Sequence, residues 1–229
     1  MALTGAQLAD EVQVSVGRTT SSEPLITNAR VTLWLNEAQL KIAEECIGLE
    51  SLSFKNTTSL DTSVQLKYSI TDITVTDTTE KVNRIWYVGY LDGDESIELN
   101  WMFPDEFDEE YPDPTHSDIP KDRPTHWTRR GGYIEMFPLC LTEYCNKNLR
   151  FDGDFYPREF TTEDASYSDL SNADKGLKLY AIAEAWGAIG NETKSLIWRK
   201  KFDMWLDDFK ADNENLPEWG GKMYGNGFE

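Results

Sequence analysis

The sequence predicts an α+β fold. It is a helical bundle of two N-terminal and two C-terminal helices, with an inserted antiparallel β-rich domain and an extended C-terminal tail. Three observations predict it. Apolar residues recur at helical spacing near both ends of the 229-residue chain. The middle turns to Thr, Val, Ile and Tyr with Asp and Asn punctuation, the texture of half-buried strands. The last residues, LPEWGGKMYGNGFE, hold four glycines and a proline, which a regular helix does not tolerate. The expected divisions are 1–50 for the N-terminal helices, 51–170 for the β-rich insertion, 171–213 for the C-terminal helices and 214–229 for the tail.

Thr4-x-x-Gln7 is a capping box, so a first helix is expected over 5–16. A second starts with Thr27 as N-cap and stops near Ile47-Gly48. Its stripe of Val31, Trp34, Leu35, Ala38, Ile42 and Cys46 leaves Glu37, Lys41, Glu44 and Glu45 on the other side. Strands are expected at 64–69, 82–90 and 97–101, with a hairpin at Asp92-Gly93-Asp94. Between 104 and 123, seven acids (Asp105, Glu106, Asp108, Glu109, Glu110, Asp113 and Asp118) precede the first base, Lys121, among prolines. A short helical turn followed by a long exposed loop fits that composition. His126–Arg130, Gly131-Gly132 and Tyr133–Phe137 read as a second hairpin. Asn148–Phe151 is a further strand, ended by the turn-like Asp152-Gly153. Ser171 is placed to cap a third long helix, apolar on most sides, with Asp174 in its first turn. Gly190-Asn191 break it. A last helix from Thr193 carries Trp198, Phe202, Trp205, Leu206 and Phe209 on one face.

With 22 basic and 41 acidic residues the net charge is −19. That argues against a nucleic-acid binder working by phosphate neutralisation, and against an anionic membrane surface as partner. No apolar run reaches transmembrane length, and the N-terminus lacks the basic start and apolar core of a secretory signal. Cys46, Cys140 and Cys145 read as reduced thiols. Asn56-Thr57-Thr58 and Asn191-Glu192-Thr193 match a glycosylation pattern by chance.

No constellation carries recognisable chemistry. His116, His126, Cys140 and Cys145 have no zinc-like spacing. The acids pair too freely to define a hydrolase dyad. Asp92-Gly93-Asp94 and Asp152-Gly153-Asp154 are fragments of a calcium loop, better explained as turns. Nucleophile elbow, phosphate loop and dinucleotide fingerprint are all missing. The expectation is therefore no enzyme, no cofactor and no metal site. Trp34, Trp186, Trp198 and Trp205 belong to helix stripes, whereas Leu216, Trp219, Met223, Tyr224 and Phe228 punctuate a Gly-rich tail, where apolar anchors point to a partner.

Pro124, Trp127, Gly131-Gly132, Tyr133, Ile134 and Pro138, set between two helices before and two after, resemble the head-to-tail adaptor (connector) proteins of tailed bacteriophages, the short-tailed type in particular. The likeness runs over 1–215 as an order of elements, and departs from the family at Pro138-Leu139-Cys140, where many members continue Pro-x-Pro. It implies a structural virion protein of the neck, assembled in the host cytoplasm. That protein would form a ring homo-oligomer of twelve copies beneath the portal, around a channel that DNA crosses without specific binding. It implies a docking segment for the portal protein at Leu216, Trp219, Met223, Tyr224 and Phe228. A tail-nozzle or tail-fibre contact is expected at the acidic segment, Asp105, Glu106, Asp108, Glu109, Glu110 and Asp113. The alternatives are a β-rich glycan- or receptor-binding tail module, which expects exposed Trp on the β-rich part, and a metal-dependent hydrolase.

Overall fold

The computed structural model describes residues 2–17, 25–59, 67–70, 73, 81–93, 95–113, 116, 118, 121–141, 143–144 and 147–214. The chain divides into two units. One takes the residues up to Leu52 and resumes at Tyr156; the other is Ser53–Phe155. The fold is α+β, as expected.

The helical unit begins with α1 (Gly5–Val16). Its capping box forms: Thr4 Oγ1 accepts from Gln7 N at 3.3 Å and Gln7 Oε1 accepts from Thr4 N at 3.0 Å. Gly17, at φ 68°, closes the helix in the left-handed region that glycine adopts without strain. Next, α2 (Asn28–Glu45) is capped by Thr27, and its whole expected stripe from Val31 to Cys46 is buried. The polar residues of that buried side have a separate task. Asn36 grips the backbone of Phe160 from both sides, donating to its carbonyl at 3.0 Å and accepting from its N–H at 2.8 Å. Gln39, 1% exposed, donates to Arg158 O and accepts from Ser168 Oγ. Gly5 and Ala6 donate to Ser166 O and Asp164 O. These bonds tie 156–170 to α1 and α2, so that segment joins the helices and the β-rich unit is narrower than the expected 51–170.

Two C-terminal helices complete this unit, α4 (Asp174–Ala188) and α5 (Glu192–Glu214), numbered after the short α3 (Pro104–Glu110) of the β-rich unit. Ser171 does not cap α4. Asn172 takes a left-handed conformation (φ 62°) and turns the chain first, so Ala173 holds the cap position without a side-chain bond. Asp174 stands in the first turn of α4, and its carboxylate accepts from Leu3 N at 2.8 Å, which ties the N-terminus to that helix. Gly176, Leu177, Ala181, Ile182, Ala183 and Ala185 are buried, which matches a helix packed on α1, α2 and α5. Gly176 is required: a Cβ there would sit 1.9 Å from the Trp205 ring. Asn191 Oδ1 accepts from Lys194 N at 3.1 Å, so α5 starts at Glu192, slightly before the expected Thr193. Phe202, Leu206 and Phe209 are buried, and Trp205 stacks on Phe209. Trp198 is only half-buried, with Lys201 Nζ 3.8 Å from its ring.

Among the described residues the β-rich unit holds two four-stranded sheets. Its strands are β1 (Ser53–Ser59), β2 (Lys67–Ser69), β3 (Val82–Asp92), β4 (Glu95–Glu98), β5 (Asn100–Trp101), β6 (His126–Arg130), β7 (Tyr133–Phe137) and β8 (Asn148–Phe155). One sheet runs β1-β8-β3-β4, the other β2-β7-β6-β5. Among the described residues all strand pairings are antiparallel except β5–β6, a two-residue parallel pair, so the insertion is not wholly antiparallel. Both expected hairpins form, at Gly93 and at Gly131-Gly132. The expected strand 64–69 is seen from Lys67; residues 64–66 lie outside the described residues. Two differences stand out. β1 was not expected, and β8 runs straight through Asp152-Gly153, which is no turn. Gly153 marks instead a close approach of two strands, since a Cβ there would come within 2.1 Å of Arg84 O. Leu149, Phe151, Val88 and Tyr90 form the core of the first sheet, and Trp127, Ile134 and Met136 that of the second.

Candidate interaction surface around the short acidic helix

Pro104 at the first position and Asp105 and Glu106 in the first turn suit the start of α3. Glu109 and Glu110 at its other end oppose the helix dipole, so something else must hold these seven residues. Phe107 does so, at 1% exposure. Its ring meets Tyr111 edge-on at 5.3 Å, and Tyr111 stacks on Phe137 of β7 at 3.6 Å. Burial, then the hydrogen bond to Glu110, pushes the Tyr111 hydroxyl up to about 12, so it stays protonated and donates to Glu110 Oε1 at 2.8 Å. Arg130, at the end of β6, donates to Pro104 O and pairs with Asp108 at 2.8 Å. That bond raises the arginine's already high pKa.

The structure therefore places Asp105, Glu106, Asp108, Glu109 and Glu110 on one exposed helix, with Asp113 exposed just beyond it. Glu106, Asp108 and Glu110 are engaged locally; Asp105 and Glu109 stay at the surface with Phe103, which is 48% exposed. The other expected contact residues, Leu216, Trp219, Met223, Tyr224 and Phe228, lie outside the described residues.

The residues weighed for metal chemistry are dispersed. His126 Nδ1 is 2.9 Å from Thr125 Oγ1, His116 lies beside Asp118, Cys140 is buried and Cys145 lies outside the described residues. Among the described residues no three His, Cys, Asp or Glu side chains group closely enough to hold a metal ion. Nor is any helix among them long and apolar enough to cross a membrane. The helical unit has an open cleft of about 640 Å³ with Leu49 and Phe209 as apolar lining and Glu50, Ser51, Ser171, Asn172, Asp212 and Asn213 as polar lining.

One buried group escaped sequence reasoning. Asp154, 2% exposed on β8, faces Arg84 of β3 at a loose 3.8 Å. Its Oδ1, like Asn83 Nδ2 and Thr128 Oγ1, finds no hydrogen-bond partner among the described residues. Burial pushes its carboxyl up to about 6, against the attraction of Arg84 and Arg129. Arg129 reaches across from the second sheet to donate to Asn83 O at 3.0 Å. The signal was an Asp-Gly-Asp inside a strand, easily taken for a turn.

No protein-family model matches the chain, and no curated protein does.

Proposed function

We propose that the chain is a structural virion protein, a head-to-tail adaptor that forms a ring beneath the portal and extends the DNA channel. In this reading it offers its lower surface to tail-nozzle or tail-fibre proteins and catalyses nothing. The observation that carries the proposal is the order of parts. Two N-terminal helices and two C-terminal helices build one unit, and the β-rich unit is inserted between them, the arrangement on which the resemblance to the adaptor family rests. Two properties support it. The net charge of −19 suits a conduit wall to which DNA must not adhere. The tail anchors Leu216, Trp219, Met223, Tyr224 and Phe228 suit a groove on a partner.

A glycan-binding module fits less well. Trp127 is buried and Trp86 and Trp101 are half-buried, so among the described residues the stacking platforms such a module needs reduce to Phe103 and Tyr133.

The test is co-sedimentation of the purified chain with a purified portal ring. The expected result is about one adaptor per portal subunit. A folded chain that never binds the portal overturns the proposal. Deleting 216–229 should leave the fold intact and abolish portal binding; retained binding would refute the assignment of the tail.

A further inference from the structure

Asp154, the most deeply buried acid among the described residues, sits where the two sheets of the β-rich unit meet. In the first sheet Arg84 of β3 stands opposite it on one side and Ser53 of β1 on the other. From the second sheet Arg129 of β6 reaches in and donates to Asn83 O at 3.0 Å. β3 is irregular at this point. Its register with β8 shifts between Val82 and Arg84, which makes Asn83 an extra residue on β3. Such a bulge breaks the ladder locally and re-aims the groups it carries. β8 itself ends one residue beyond Asp154, at Phe155. The join between the sheets thus falls on a bulge in one strand and on the terminus of another.

The charges around the carboxyl leave it poorly matched. Arg84, half-buried, comes only to 3.8 Å, beyond hydrogen-bond reach. Arg129 is engaged by the Asn83 carbonyl. Ser53 on β1 is uncharged. On β8, Asp152 is paired with Arg150 at 2.8 Å, and Lys55, opposite Asp152 on β1, is exposed. On β7 the residue opposite Arg129 is Ile134, and the neighbouring Glu135 pairs with Lys67 of β2. Asp154 Oδ1 has no hydrogen-bond partner among the described residues. A carboxyl in this position is tolerated when neutral and penalised when charged.

We propose that Asp154 is a pH-operated latch for this join: with its carboxyl neutral, the bulged start of β3 closes on the end of β8 and on Arg129 of β6, and its ionisation lets that corner open to water. The rest of the first sheet stays closed, because Val88, Tyr90, Leu149 and Phe151 are fully buried farther along the same two strands. The direction follows by linkage. Burial lifts the carboxyl to about 6 in the closed corner, against an ordinary value of 3.8 in water. The open fraction therefore rises with pH across that window and is level on either side of it. Between pH 4 and pH 8 the rise is about fiftyfold. The latch is shut in acid and loosened at neutral pH. It stands whether or not the chain is an adaptor.

The test is amide hydrogen exchange of the full chain, resolved by residue, from pH 4 to pH 8 and over a series of low urea concentrations. Protection is taken relative to the intrinsic exchange rate at each pH. The protected amides within 82–84 and 154–155 should exchange through a local opening, with less protection than those of Val88 and Phe151 on the same strands and almost no dependence on urea. Their protection should fall about fiftyfold from pH 4 to pH 8. In Asp154→Asn that fall should vanish. Corner amides that exchange only with the whole unit, at the urea dependence of Val88 and Phe151, overturn the latch, even where the buried charge still lowers global stability. Wild-type protection that ignores pH, or an Asn variant that keeps the fall, overturns it as well. One check needs no variant. The Asp154 carboxyl carbon of the wild type should titrate at the pH where the opening levels off, and a titration elsewhere overturns the inference.

Discussion

Replacing Asp154 by Asn should stabilise the protein at neutral pH. The Asp154 carboxyl is 2% exposed and titrates near 6 in the fold, against an ordinary value of 3.8. The folded state therefore holds a proton that the unfolded chain has already released between those two values. Stability falls as pH rises through that window and is level on either side of it. The gap corresponds to about 3 kcal/mol lost by pH 7, since each pH unit of difference is worth about 1.4 kcal/mol. Asn keeps the shape of the protonated acid and cannot ionise. The assay is urea unfolding of both chains from pH 4 to pH 8 at constant ionic strength, comparing midpoints at equal slope. The curves should coincide near pH 4 and separate by up to about 3 kcal/mol at pH 8 in favour of the variant. Equal pH dependence in the two chains, or an Asn variant less stable at pH 8, would refute the reasoning. The second outcome would mean that the loose Arg84 pair outweighs desolvation.

Four further substitutions test other parts of the structure. Gly153→Ala should destabilise the β-rich unit by about 2–3 kcal/mol through overpacking, because its methyl would collide with Arg84 O; thermal unfolding measures this. Phe107→Ala should cost about 3–5 kcal/mol of local stability and expose α3 to proteolysis. Asp108→Asn should leave stability nearly unchanged, because both side chains of its pair with Arg130 are well exposed. Asp164→Ala should fray the start of α1, seen as faster amide exchange at Gly5 and Ala6. Hydrogen bonds, those from Ser166 foremost, hold the Asp164 carboxyl down at about 2, so its contribution is present above the ordinary value and is lost as pH falls toward 2. The variant should lose that acid dependence.

The long amphipathic helices were legible because their signals are local and redundant. For α1 and α2, period, cap and stop all agree. The Gly131-Gly132 hairpin was equally plain. What the sequence hid was set by partners distant along the chain. β1, SFKNTTS, has one large apolar residue and becomes a strand because β8 supplies its ladder, Ser53 opposite Asp154 through Ser59 opposite Asn148. Asp152-Gly153 has the composition of a turn, and only the proximity of β3 makes the glycine a strand residue. Ser171 lost its capping role to a left-handed Asn172. The allocation of 156–170 depended on Asn36 and Gln39, polar residues whose partners lie more than a hundred positions away. At the α3 surface the acids were legible; Phe107, Tyr111 and Phe137, which hold the helix in place, were not singled out. The Asp154 cluster was missed because burial of a charge is a tertiary property.

The interrupted construction of the helical unit imposes an order on biosynthesis. α2 ends at Glu45 and α4 begins at Asp174, so 174 − 45 = 129 positions separate the stripe of Val31, Leu35 and Ile42 from a helix that covers it. At roughly 5–20 residues per second of translation, that stripe waits about 6–26 s for its cover to emerge from the ribosome. Among the described residues the strands of the β-rich unit pair with one another within Ser53–Phe155, and they are free to fold in the interval. Until translation passes α4, the nascent N-terminal helices are an apolar surface without a home, and a natural client for chaperones.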